Sequence, residues 1–117
     1  MFVSVLARRL RPGKTYEDFV RAWYPDEGFG IEGSGPILAR NLADEREIVA
    51  IAFLDLPARA DLEAASERVA AQEAVRHERI DSVIESTTLR GIYEVADEFD
   101  FSTDATVAAG RPGYVER

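Results

Sequence analysis

The spacing of apolar positions changes repeatedly along the chain, and each change marks an element. Residues 2–8, Phe2-Val3-Ser4-Val5-Leu6-Ala7-Arg8, are rich in Val, Leu and Phe, and a turn dipeptide, Pro12-Gly13, follows them. They read as a first strand. Thr15 stands three residues before Asp18, the spacing of a capping box. Tyr16, Phe19, Val20 and Trp23 then recur at i, i+3, i+4 and i+7, one apolar face of a short helix. Pro25 closes that helix, because the residue ahead of a proline is pushed out of the helical region. Residues 24–36 hold Gly28, Gly30, Gly33 and Gly35, half of the chain's glycines, and read as a long loop. Two apolar runs, 37–43 and 48–54, flank the charged tetrad Asp44-Glu45-Arg46-Glu47 and read as a hairpin. From about Asp61 to Glu85 the pattern is helical, with Leu62, Ala65, Val69, Ile80, Val83 and Ile84 on one stripe. The polar residues Glu73, Arg76 and His77 interrupt that stripe, so a break near His77 is expected. Thr87 to Val95 reads as a last strand, with Gly91 a candidate bulge. The segment 97–117 carries Phe99, Phe101 and Tyr114 without periodicity and reads as an arm packing on its own or a partner subunit.

The order strand, helix, strand, strand, helix, strand is the split βαβ arrangement: an α+β domain over residues 1–96, with a four-stranded antiparallel sheet and two helices on one face. Two helices cover only one side of such a sheet. Yet Phe2, Val3, Val5 and Leu6 make the first strand apolar on both sides, and the run 48–54 is apolar at both parities. The uncovered face would be a large apolar patch, which soluble monomers rarely tolerate. A homodimer through the sheet faces resolves this; a tail folded back over the face of a monomer is the alternative.

Composition narrows the partners. The chain has 117 residues, about one domain. It has a net charge of -8, which argues against nucleic acid because phosphate binding needs a cationic surface. With no cysteine it has no disulfide or zinc–thiolate chemistry. No apolar run approaches the roughly 18 residues of a membrane span, and Arg8 and Arg9 follow rather than precede the short apolar N-terminus, so a cytoplasmic location is expected.

The element order across residues 2–95, ending in Leu89-Arg90-Gly91-Ile92-Tyr93-Glu94-Val95, resembles the dimeric α/β-barrel superfamily, which is ferredoxin-like and includes antibiotic-biosynthesis monooxygenases, stress-responsive A/B-barrel proteins and EthD-type proteins. The resemblance implies dimerisation through the sheets and a small-molecule pocket between sheet and helices. Haem-degrading members of that group use a His on the second helix, an Asn on the first strand and a Trp near the third. This chain offers His77, but Ser4 on the first strand and no Trp beyond Trp23. No cofactor and no metal are therefore expected.

Gly28-Phe29-Gly30-Ile31-Glu32-Gly33 spells GxGxxG, but it follows a helix and leads into a strand, the reverse of a dinucleotide site. It also carries acidic neighbours that repel phosphate, which leaves a flexible loop at a pocket mouth. His77 is the only imidazole, hence the candidate general base, with Arg76 to hold developing negative charge. Glu73 lies at i, i+4 from His77 and i, i+3 from Arg76, and Arg8, Arg40 and Arg90 are candidate strand partners for buried charge. Trp23, Glu73, Arg40 and Tyr93 are the candidate substrate-binding residues, with Trp23 placed to stack on an aromatic ring. The opposite reading has the helix turn Glu73, Arg76 and His77 to solvent. Two functions stay open: cofactor-free, monooxygenase-like chemistry on an aromatic or polyketide-like compound, or a non-catalytic dimeric module that binds a ligand or partner.

Overall fold

A computed structural model describes residues 1–31, 33–101 and 114–115. The chain runs β1 (Phe2–Leu10), α1 (Tyr16–Trp23), β2 (Gly33–Arg40), β3 (Glu47–Leu54), α2 (Arg59–Asp81) and β4 (Ile84–Glu94), followed by the short strands β5 (Glu98–Phe99) and β6 (Tyr114–Val115). The first four strands form one antiparallel sheet in the order β2-β3-β1-β4. This is the ferredoxin-like α+β arrangement expected from the element order. None of the described helices is long and apolar enough to cross a membrane.

Local chemistry fixes the helices. Asp18 N–H donates to Thr15 Oγ1 at 3.2 Å and Thr15 N–H to Asp18 Oδ2 at 2.9 Å, so the expected capping box is complete. The helix α2 begins after Ala58 without a side-chain cap and ends where Ser82 Oγ donates to the Arg79 carbonyl at 2.6 Å. Its 23 residues are one continuous helix, so the break expected near His77 does not occur.

Strand parity separates two faces. Opposed residues in the register place Ser4, Leu6 and Arg8 with Ala52, Ala50 and Ile48 on the helix side, and Val3, Val5 and Ala7 with Phe53, Ile51 and Val49 on the other. On the helix side, Leu10, Phe19, Ile48, Ile80, Val83 and Ile84 form the core at one end of the sheet. Phe19, Ile48 and Ile80 are the largest fully buried side chains, and each contributes about 1.5–3 kcal/mol by leaving water. On the other side no described helix lies against Val3, Val5, Val49, Ile51 and Phe53, and Ile37, Leu89 and Tyr93 are exposed.

Several boundaries differ from the sequence reading. The strand β2 starts at Gly33, so the last four residues of the expected long loop, 33–36, are edge strand, where Pro36 removes no needed donor. The helical stripe ends at Asp81; Val83 and Ile84 continue the core from the turn and from β4. Gly91 is not a bulge, since it pairs directly with Val5, and the register shifts lie between Ala7 and Arg8 and between Arg9 and Leu10. A Cβ on Gly91 would stand 2.8 Å from the Tyr93 ring, so the glycine makes room for that aromatic. Of the expected arm over 97–117, Glu98–Phe99 pairs with Tyr114–Val115 and Phe99 stacks on Phe101. Its packing on either subunit otherwise lies outside the described residues.

Candidate functional site

The core fills only one end of the space between sheet and helices. Toward the other end the facing side chains are small: Ser4, Ala50 and Ala52 on the sheet, Ser66 and Ala70 on α2. Small residues on facing surfaces leave volume, and a cavity of about 670 Å³ opens there. Leu6, Leu54, Leu62 and Val69 supply apolar walls, and Trp23 and Phe29 close one side. This size and lining are those of a small-molecule site.

The loop leaving α1 is fastened over the cavity by α2. Gln72 Nε2 donates to the Glu27 carbonyl at 2.5 Å, Arg76 Nε to the Trp23 carbonyl at 2.8 Å, and Arg79 Nη2 to the Tyr24 carbonyl at 3.2 Å. Arg79 also pairs with Asp26 at 3.1 Å. The Arg76 guanidinium lies 5.6 Å from the Trp23 ring centroid and 5.1 Å from that of Phe29, a cation held between two aromatic faces.

The polar side of the cavity comes from the middle of α2. Glu73, Arg76 and His77 all border it. Arg76 is buried and donates from Nη1 to Glu73 Oε1, while His77 Nε2 stands 3.3 Å from Glu73 Oε2. Helical spacing of three and four residues puts both partners on the same turn-to-turn face as Glu73. Partial burial pushes the His77 pKa below 6.5; Glu73 opposes this, and the cations Arg90, Arg8 and Arg76 add to it. His77 is therefore neutral near pH 7, with a ring nitrogen able to accept a proton. Among the described residues no three His, Cys, Asp or Glu side chains group as metal ligands.

The structure thus brings together His77, Arg76, Glu73 and Trp23, and leaves two expected residues apart. Arg40 lies over the Tyr16 ring at 4.9 Å and does not border the cavity. Tyr93 faces the opposite side of the sheet, opposed to Val3, and is exposed. In the GxGxxG string, Phe29, Ile31 and Gly33 border the cavity, and Gly33 already belongs to β2; Glu32 lies outside the described residues. Arg90, expected as a strand partner for buried charge and not as a substrate-binding residue, pairs with Leu6, shares the helix side of the sheet and borders the cavity. Strand parity carried that signal.

Solved structures with the same arrangement exist. An antibiotic-biosynthesis-monooxygenase-like protein from Nitrosomonas europaea superposes with a TM-score of 0.58 at 18% identity, covering 81% of this chain and 98% of that one. A NIPSNAP domain protein from Burkholderia xenovorans gives 0.58 at 23% identity, covering 82% and 95%. Another monooxygenase-like protein, from Chloroflexus aurantiacus, gives 0.56 at 14% identity, covering 81% and 93%. The chain shares their ferredoxin-like fold. No family model matches the sequence, and no curated protein matches it. At these identities the likeness concerns the fold, and activity has to be argued from the cavity.

Proposed function

We propose that this protein is a homodimeric small-molecule-binding α/β barrel whose cavity takes an aromatic or polyketide-like compound for cofactor-free, monooxygenase-like chemistry. The observation that carries the reading is the 670 Å³ apolar cavity with a neutral imidazole at its polar wall. In this role His77 is the base, Glu73 orients it and stabilises the imidazolium, and Trp23 stacks on the substrate. Arg76 holds the loop that closes the chamber and adds positive charge where the substrate becomes anionic.

Oxygenation without a cofactor needs a substrate whose own carbanion reduces dioxygen. An activated aromatic CH2 group loses a proton to His77, reacts with dioxygen and becomes a carbonyl, and one water is released. The two-fold pairing is supported by the apolar sheet face of Val3, Val5, Val49, Ile51 and Phe53.

Anthrone, which carries such a CH2 group, tests the chemistry. Oxygen uptake matched by anthraquinone formation, and lost in His77→Ala, is the expected result. Saturable binding without oxygen uptake would leave the non-catalytic binding module as the function.

A further inference from the structure

Among the described residues, the charge bordering the cavity is opposite to that of the protein. The chain carries -8 overall, yet the described ionisable residues at the cavity are Arg76, Arg90, His77 and one carboxylate, Glu73. Arg8 stands on the same side of β1 as the wall residues Ser4 and Leu6, is only 5% exposed, and has its guanidinium 5.9 Å from the Phe19 ring centroid. Among the described residues its side chain makes no hydrogen bond and no ion pair. Burial, together with Arg76 and Arg90, makes its charged form less favourable than usual. Glu73 and Asp81 attract this charge without a direct ion pair and offset the penalty only in part, and a buried cation lacking a contacting anion is costly.

The partners are already divided. Arg76 spends Nε on the Trp23 carbonyl and Nη1 on Glu73, so Glu73 is taken. Arg90 borders the cavity and has neither hydrogen bond nor ion pair among the described residues. Its planar fork matches one carboxylate by two parallel hydrogen bonds. The walls on either side are apolar and aromatic, which suits an organic body and not a free inorganic ion.

We propose that the ligand of this cavity is an organic anion, an aromatic body bearing one carboxylate that pairs with Arg90 beside His77, its charge balanced from the sheet by Arg8. This rests on the cavity being a small-molecule site, and it names the chemical class that site prefers. The groups facing His77 are Glu73 and Arg76 from its own helix, Arg8 from β1 and Arg90 from β4. A bound carboxylate joins Glu73 in favouring the imidazolium. Affinity for the anion therefore rises as pH is lowered toward the range where His77 takes up its proton, while an ordinary carboxylic acid is still ionised.

The probes are 2-naphthoate and 2-naphthamide, the same body with and without charge, titrated calorimetrically into the full chain. The expected result is at least tenfold tighter binding of the naphthoate, about 1.4 kcal/mol. Arg90→Met should bring the two to parity while keeping the affinity for the amide, and Arg90→Lys should restore part of the preference. Because Arg90 is exposed and has neither hydrogen bond nor ion pair among the described residues, the variants should keep the wild-type circular dichroism and melting temperature. Equal affinity of wild type for both probes, or a preference that survives Arg90→Met, would overturn the anion assignment and leave the pocket standing. Binding of neither probe at millimolar concentration would overturn both.

Discussion

Arg76 and Trp23 are joined twice: the guanidinium Nε donates to the Trp23 carbonyl at 2.8 Å, and its carbon lies 5.6 Å from the same residue's ring centroid. One side chain thus ties the middle of α2 to the last residue of α1 and sets the cavity wall at the same time. Arg76→Ala removes the hydrogen bond to the Trp23 carbonyl, the cation–aromatic contacts with Trp23 and Phe29, and the arginine partner of Glu73. It should destabilise the fold by about 2–4 kcal/mol, measured by urea unfolding. Retained stability would mean the loop after α1 is held by Gln72 and Arg79 alone.

The cavity and the core should answer differently to a change in volume. Phe19→Ala or Ile48→Ala empties packed space and should cost about 2–5 kcal/mol. Ala52→Phe enters open space, so its effect on stability should stay within about 1 kcal/mol. Thermal or urea unfolding of the three variants checks this, and a large loss from Ala52→Phe would show that the space is not open in solution.

His77 gives the protein a pH signature. Its folded pKa lies below the unfolded value of 6.5, so between the two values the unfolded chain binds more protons. Stability should be full above about pH 6.5, fall as pH is lowered through the interval, and level off for this group once the folded imidazole is also protonated. His77→Gln should flatten that part of the profile, measured as urea midpoint against pH. An unchanged slope would place the imidazole in water.

The proposed dimer depends on the open sheet face. Sedimentation equilibrium should give about twice the 13.0 kDa chain mass. The double substitution Val5→Asp with Ile51→Asp, on adjacent strands of that face, should return the protein to monomer. A wild-type monomer would show that the face is covered in another way.

Much of this was legible in the sequence, for reasons that are local. The capping box at Thr15 and Asp18 marks the start of α1, and the double-parity apolar run at 48–54 marks a strand in the sheet interior. What failed was read from residue type where position decided. Gly33, Gly35 and Pro36 look like loop residues but sit on an edge strand, where a missing donor costs nothing. Glu73, Arg76 and His77 looked like a place for α2 to break. The helix continues because the three partner each other and the Trp23 carbonyl. Arg8 is among the three strand arginines expected to meet buried charge, and strand parity is what separates it from its neighbour. Parity turns Arg8 inward under the helices, while Arg9 turns out to pair with Asp44 and Glu85.

Trp23 is the only tryptophan and borders the cavity, so its fluorescence reports directly on an occupant. Titration with 1,4-naphthoquinone should quench it along a saturable curve, and Ala52→Phe should leave only the linear collisional quenching of a filled site. A linear response in the wild type, or an identical saturable curve in both proteins, would contradict a ligand chamber between α2 and the sheet.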